Sequence, residues 1–129
     1  IRLVYHNHTT EFAAQGLEIE ELLRRTDPEL VSLLLDAGHA HRAKCDVPAF
    51  IARHHQRIDA IHLRDLRDDR WLPLGQGEFD LTGLAAAIRK TAWPGWLIVE
   101  QESLKSADAA TVESVLASDR RAIRKHFGV

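Results

Sequence analysis

The sequence predicts one α/β domain, residues 1–129, in which a parallel sheet is covered by helices. Two observations predict it. Four apolar runs of strand length recur along the chain without the polar alternation of a half-solvated strand, so each reads as a strand in a parallel sheet. Each run is followed by a segment with helical spacing of its apolar residues. The result is four βα units, with little sequence left over.

Taken in order, residues 2 to 7 read as the first strand, a buried one, built on Leu3, Val4 and Tyr5. Helical periodicity runs from Gly16 through Leu17, Leu22 and Leu23, and Pro28 blocks continuation of that helix. "LVSLLLD", 30 to 36, is the second strand and ends in a carboxylate. Pro48 starts the second helix, with Phe50 and Ile51 on its inner face. "IDAIHL", 58 to 63, is the third strand, and a loop with Pro73, Gly75 and Gly77 extends from Arg64 to Glu78. Asp80 is suited to cap the helix "LTGLAAAIRKT". "GWLIVEQ", 95 to 101, is the fourth strand, and the last helix runs from about Asp108 to His126 on a stripe of Val112, Val115, Leu116 and Ile123.

Bulk properties exclude some classes. With 45% hydrophobic residues and a net charge of −2, the chain reads as an ordinary domain able to bury a core. The 17 Lys and Arg against 19 Asp and Glu leave no basic field for nucleic acid. No apolar run approaches the roughly 20 residues of a membrane span, and no signal peptide is visible. The single cysteine, Cys45, has no internal partner, so a reducing, cytoplasmic compartment is the expectation. The chain lacks methionine and begins in mid-strand at Ile1, which predicts a fragment without its N-terminal portion.

The chemistry sits at the strand ends. The four strands end at His6, Asp36, His62 and Glu100, and in parallel α/β folds those ends face the ligand site. A single polar residue there is explained by a capped turn or by solvation. Four in register, all of metal-ligand type, point to a divalent ion, and donors without thiolate suit Mn²⁺, Mg²⁺, Zn²⁺ or Co²⁺. Beyond the ligands, His39 lies three residues after Asp36 and Arg64 two after His62, both placed for substrate oxygens. His41 and Asp65 read as solvated surface residues, and His54, His55 and His126 carry no assigned role. The loop "LGQGEFD" lacks the spacing and Lys of a phosphate loop, while Trp71 beside it would suit a sugar face.

Five motifs, "YHNHTTEF", "LLLDAGHAH", "RIDAIHLRD", "LGQGEFD" and "GWLIVEQE", together resemble in order and spacing the sugar phosphate isomerase/epimerase proteins. These are the xylose isomerase-like TIM barrels, relatives of inosose dehydratase, tagatose 3-epimerase and endonuclease IV. The resemblance implies that the four βα units correspond to the C-terminal half of a (β/α)8 TIM barrel, which needs eight units and about 250 residues. It implies a divalent metal, most often Mn²⁺, held by Glu, Asp, His and Glu. Asp36, His62 and Glu100 match the last three. At the first position this chain has His6 where many relatives have Glu, so Glu11 is expected to supply the carboxylate, with His6 as the alternative ligand. His6 and His8 are then left to bind substrate or relay protons.

The reaction implied is proton abstraction next to a carbonyl of a sugar, sugar phosphate or cyclitol, with Glu11, Glu100 and His6 as candidate catalytic groups. Isomerisation, epimerisation and dehydration of an inosose-like ketone share those residues. A non-catalytic half-barrel is the second class, and an endonuclease IV-like phosphodiesterase the third, disfavoured by the charge. The expected partner is a small sugar or cyclitol, with no nucleic acid or membrane. An isolated half-barrel would expose two sheet edges, which predicts self-association or pairing with the missing half.

Overall fold

The elements run β1 (Leu3–His6), α1 (Ala13–Arg25), β2 (Val31–Asp36), α2 (Ala37–Arg42), α3 (Val47–His54), β3 (Ile58–Leu63), β4 (Asp65–Arg67), β5 (Arg70–Leu72), α4 (Leu81–Thr91), β6 (Trp96–Val99) and α5 (Ala109–Phe127). This is a computed structural model, and it describes residues 1–102, 104 and 107–129. The sheet has the order β1-β2-β3-β6, every neighbour parallel. The order follows the chain, as right-handed βα crossovers between adjacent strands require. All four strands therefore present their C-terminal ends on the same rim.

The two central strands carry the core. Leu33, Leu35, Ile61 and Leu63 are wholly buried, and they pack with Ile19 and Leu23 of α1, Phe50 and Ile51 of α3 and Leu84 of α4. Each such side chain contributes about 1.5–3 kcal/mol by leaving water, so this helix-facing layer holds the sheet. By the period of two along a strand, Ser32, Leu34 and Asp36 turn to the opposite face. There Ser32 donates a hydrogen bond to Asp59 at 2.7 Å.

The outer strands differ from the sequence expectation. β1 was expected to be buried, yet Leu3 and Val4 are 58% and 45% exposed, and in β6 Trp96 is 78% exposed. Both are edge strands with one unpaired side, so their apolar character has no local partner.

The helices follow their caps. α3 begins at the expected proline with Asp46 as N-cap, α4 spans the predicted segment behind Asp80, and α5 starts behind Asp108. In α1, Ala14, Gln15 and Gly16 adopt left-handed backbone angles, so the regular helix begins where its periodicity does. Leu17 and Leu116, both expected on inner faces, are exposed; Ile19 and Leu23, and Ala122, Ile123 and Phe127, take the packing roles. Two elements were not expected at all: the short helix α2 directly after Asp36, and the β4–β5 hairpin inside the long loop. Among the described residues no helix is long and apolar enough to cross a membrane.

Candidate metal centre

Register brings the strand ends together. Asp36 pairs with His62 across β2 and β3, and the Glu100 amide donates to the Leu63 carbonyl at 3.1 Å, directly beyond β6. Asn7, just past β1, locks the first strand to the second: its side-chain oxygen accepts from the Asp36 amide at 2.9 Å and its amide donates to the Asp36 carbonyl at 3.2 Å. Wholly buried Asn7 is a residue that sequence reasoning left without a role. Its position beside the ligand motif was the available signal.

His6, Asp36, His62 and Glu100 each offer one donor atom, and these atoms lie within 4.8 Å of one another. His6 Nε2 is 3.5 Å from Asp36 Oδ2, and His62 Nδ1 is 2.5 Å from Glu100 Oε2. Close as they are, none of these four buried atoms makes a hydrogen bond. Buried polar atoms rarely go unpaired, because desolvation without a partner costs about 1–3 kcal/mol each. Seven side-chain atoms among the described residues share that condition, and five of them, Arg64 Nε included, are in this cluster. The four atoms lie within ion-pair range of one another or of Arg64 but without hydrogen-bond geometry, and such a convergence of nitrogen and oxygen donors fits a shared cation.

Glu11 is not part of it. Glu11, the expected first ligand, lies outside the group, and its carboxylate accepts from the Tyr5 hydroxyl at 3.1 Å, the His8 amide at 2.9 Å and the Thr10 hydroxyl at 2.9 Å. It serves as the local cap of the turn after β1, and His6 takes the first position in the cluster.

Around the four lies a cationic and aromatic wall. Buried Arg64 approaches Asp36 Oδ2 at 3.0 Å, contacts Glu100 Oε1 and lies 3.5 Å from Glu102. Its guanidinium also stacks over Trp71 at 4.8 Å, and Trp71 meets the His39 ring edge-on at 5.1 Å. The Thr9 hydroxyl bonds His39 Nδ1 at 2.8 Å, fixing that ring. His8 is exposed at the mouth, 5.0 Å from His6 and 5.3 Å from His39 between ring centres. The three expected substrate contacts, His8, His39 and Arg64, therefore surround the four-residue cluster. The close quarters explain Gly38, where a Cβ would sit 2.6 Å from Arg64 Cβ.

Asp65 is a second correction. Expected on the surface, it is 1% exposed and accepts four backbone N–H bonds, from Leu66, Gly75, Gly77 and Phe79 at 2.9–3.0 Å. Asp119 of α5 adds the Leu74 amide at 2.8 Å and the Gln101 side chain at 2.7 Å. The two aspartates fold the loop that carries Trp71 over the centre. His41, also expected to be solvated, is half-buried against Phe79.

Charge and burial set the protonation states. Burial pulls His6 and His39 below the usual imidazole range, outweighing the pull of Asp36 toward the charged form. Burial raises Glu100, but the hydrogen bond and charge of Arg64 outweigh it and hold the carboxyl below its usual value. All three shifts act in one direction with pH. Below the ordinary imidazole value of about 6.5 the unfolded chain takes up protons at His6 and His39 that the folded chain does not, so stability falls with acidification. Below about 4.5 Glu100 adds to the loss, because its folded carboxyl protonates later than its unfolded one. Chelator-treated protein is expected to melt at a lower temperature at pH 5.5 than at pH 7.5; an unchanged or higher Tm at pH 5.5 would contradict these assignments.

Residues 1–125 match the family described as xylose isomerase-like TIM barrel. The chain belongs to that family. The inosose dehydratase of Mesomycoplasma hyopneumoniae is 34% identical over 79% of this chain and 41% of its own length. A sugar phosphate isomerase/epimerase from Parabacteroides distasonis superposes with a TM-score of 0.70 at 24% identity, over 98% of this chain and 45% of that one. The IOLI protein, solved with a bound zinc atom, superposes with a TM-score of 0.67 at 20% identity, over 98% and 48%. The chain thus spans about two fifths of the length of the curated relatives it matches, and its four βα units form half of the family's barrel.

Proposed function

We propose that this half-barrel carries the divalent-metal centre of a sugar or cyclitol isomerase/epimerase that works by proton abstraction next to a carbonyl. The observation that carries the proposal is the convergence of four unpaired, buried donor atoms from His6, Asp36, His62 and Glu100 on the rim of the sheet. Bound there, a divalent ion would polarise a carbonyl and a neighbouring hydroxyl and stabilise the negative charge that develops on oxygen.

The surrounding residues divide the remaining work. Arg64, rigidly held over Trp71, orients a substrate oxygen and balances charge. His39 and His8 present ring nitrogens to substrate hydroxyls at the mouth. Trp71 covers a sugar face and excludes water. Glu100, kept ionised by Arg64, accepts the proton at a carboxylate oxygen and returns it to the adjacent carbon, whereas epimerisation would draw its proton from a second group on the opposite face, for which His8 at the mouth is the candidate.

A second reading uses the same site. Loss of a β-hydroxyl instead of proton return would dehydrate an inosose-like ketone, and the inosose dehydratase relative favours it equally. In either case the chain works in the reducing cytoplasm on a small molecule. Its open edges at β1 and β6, with Leu3, Val4, Trp96 and Ile98 exposed, pair with further βα units.

The test is solvent exchange. The metal-loaded protein is incubated with keto-hexoses and inososes in D2O, and deuterium at the carbon next to the carbonyl is followed by NMR. Exchange with an isomeric product supports isomerisation or epimerisation, and loss of water supports the dehydratase. No exchange with any of them, by protein that binds metal, would favour a binding half-domain.

A further inference from the structure

We propose that His6 sets the ion preference of this centre toward nitrogen-seeking transition ions, Zn²⁺ and Co²⁺, and away from Mn²⁺ and Mg²⁺. The inference rests on the metal-centre reading above and departs from the Mn²⁺ that the family resemblance implies. Its first support is the donor set. The four unpaired atoms are two imidazole nitrogens, His6 Nε2 and His62 Nδ1, and two carboxylate oxygens, Asp36 Oδ2 and Glu100 Oε2. Imidazole suits zinc, cobalt and their neighbours, whereas Mg²⁺ and Mn²⁺ are held chiefly by oxygen and by its charge. With Glu11 engaged by Tyr5, His8 and Thr10, no third carboxylate joins the four among the described residues, so half of the donor set is imidazole nitrogen.

A second observation points the same way. Arg64, only 4% exposed, lies 3.0 Å from Asp36 Oδ2 and against Glu100 Oε1. A buried guanidinium is poorly screened, so it lowers the field that the two carboxylates present to an incoming cation. Ions that bind by charge lose most of what holds them. Ions that also draw on imidazole lone pairs keep that share of their affinity, since Arg64 does not touch His6 or His62 among the described contacts. A plain hydrogen bond from His6 to Asp36 does not account for the ring's placement, because at 3.5 Å the contact lacks hydrogen-bond geometry and leaves His6 Nε2 without a hydrogen-bond partner.

The experiment is a calorimetric titration of the chelator-stripped full chain with ZnCl2, CoCl2, MnCl2 and MgCl2, for the unaltered protein and for His6→Glu. Co²⁺ is expected to bind about 100-fold tighter than Mn²⁺, with Zn²⁺ tighter still and Mg²⁺ weakest, and His6→Glu is expected to shrink the Co²⁺-to-Mn²⁺ ratio about tenfold or more. A ratio unchanged by His6→Glu, with tight binding retained, overturns this inference alone. Absence of binding by all four ions to the folded protein overturns the metal-centre reading, and this inference with it. If His6→Glu does not fold, proton NMR of the Co²⁺-loaded unaltered chain decides the matter. Hyperfine-shifted ring protons from two imidazoles support the proposal, and a single set overturns it.

Discussion

Asp36→Ala is expected to abolish divalent-metal binding, and Glu100→Ala to do the same, while His41→Ala leaves it unchanged. Asp36 is wholly buried, and its two oxygens do different things. Oδ1 accepts from the His39 amide at 2.8 Å and caps α2, while Oδ2 makes no hydrogen bond and faces His6 Nε2 at 3.5 Å and Arg64 at 3.0 Å. Removing the carboxylate takes away one of the two anions in the donor set. A loss of about 100-fold or more in affinity, roughly 2.7 kcal/mol, is the expected minimum. The same change costs the cap, about 0.5–2 kcal/mol of stability, and leaves Arg64 with less charge opposite it. Asp36→Asn separates the two effects, because its side-chain oxygen preserves the cap while the charge is lost. Calorimetric titration beside thermal melting reads both. Retained tight binding in the alanine variants of both Asp36 and Glu100 would sink the site. His41 is the control, since its ring packs on Phe79 at 5.4 Å and is no part of the cluster.

What the sequence disclosed, and what it hid, follows from the range of the interactions involved. The bounds of β3 and α4 could be read directly, because an apolar-rich segment of strand length and a capping aspartate are local signals. Asp36, His62 and Glu100 were legible for the same reason: each interrupts or ends an apolar run at a strand terminus. Helix α2 was not, because its start depends on the Asp36 side chain serving as cap and as rim residue at once. The choice between His6 and Glu11 was equally illegible. Spacing places both near the rim, and only the turn after β1, in which Glu11 satisfies Tyr5 and His8, removes it from the cluster. Asp65 was misjudged because three of its four partners lie 10 to 14 residues away in a loop without periodicity. Nothing adjacent to it in the chain marks it as buried.

That buried aspartate underlies the largest expected effect on stability. Asp65→Ala is expected to lower the free energy of unfolding by about 3–5 kcal/mol, a large part of the 5–15 kcal/mol that holds a typical domain. Four backbone amides lose their acceptor together. Those of Leu66 and Phe79 are buried, so they pay the full desolvation cost, while Gly75 and Gly77 recover part of theirs from water. No neighbouring group can substitute, because the loop is drawn tightly onto the carboxylate. At Gly77 a Cβ would lie 2.1 Å from Asp65 Oδ1, so only glycine lets the chain approach this closely. Asp65→Asn keeps one acceptor oxygen and is expected to cost about half as much. The readout is urea unfolding, followed by far-UV circular dichroism and tryptophan fluorescence, and a loss under about 1 kcal/mol for Asp65→Ala would refute the role. Metal affinity discriminates further. None of the four donors belongs to this loop, so folded Asp65→Asn should bind the ion within a few-fold of the unaltered chain, while sugar binding, if Trp71 plays the role proposed for it against Arg64 and His39, should weaken. The centre and its roof would then be separable parts: one built at the ends of the parallel strands, the other hung from a single carboxylate.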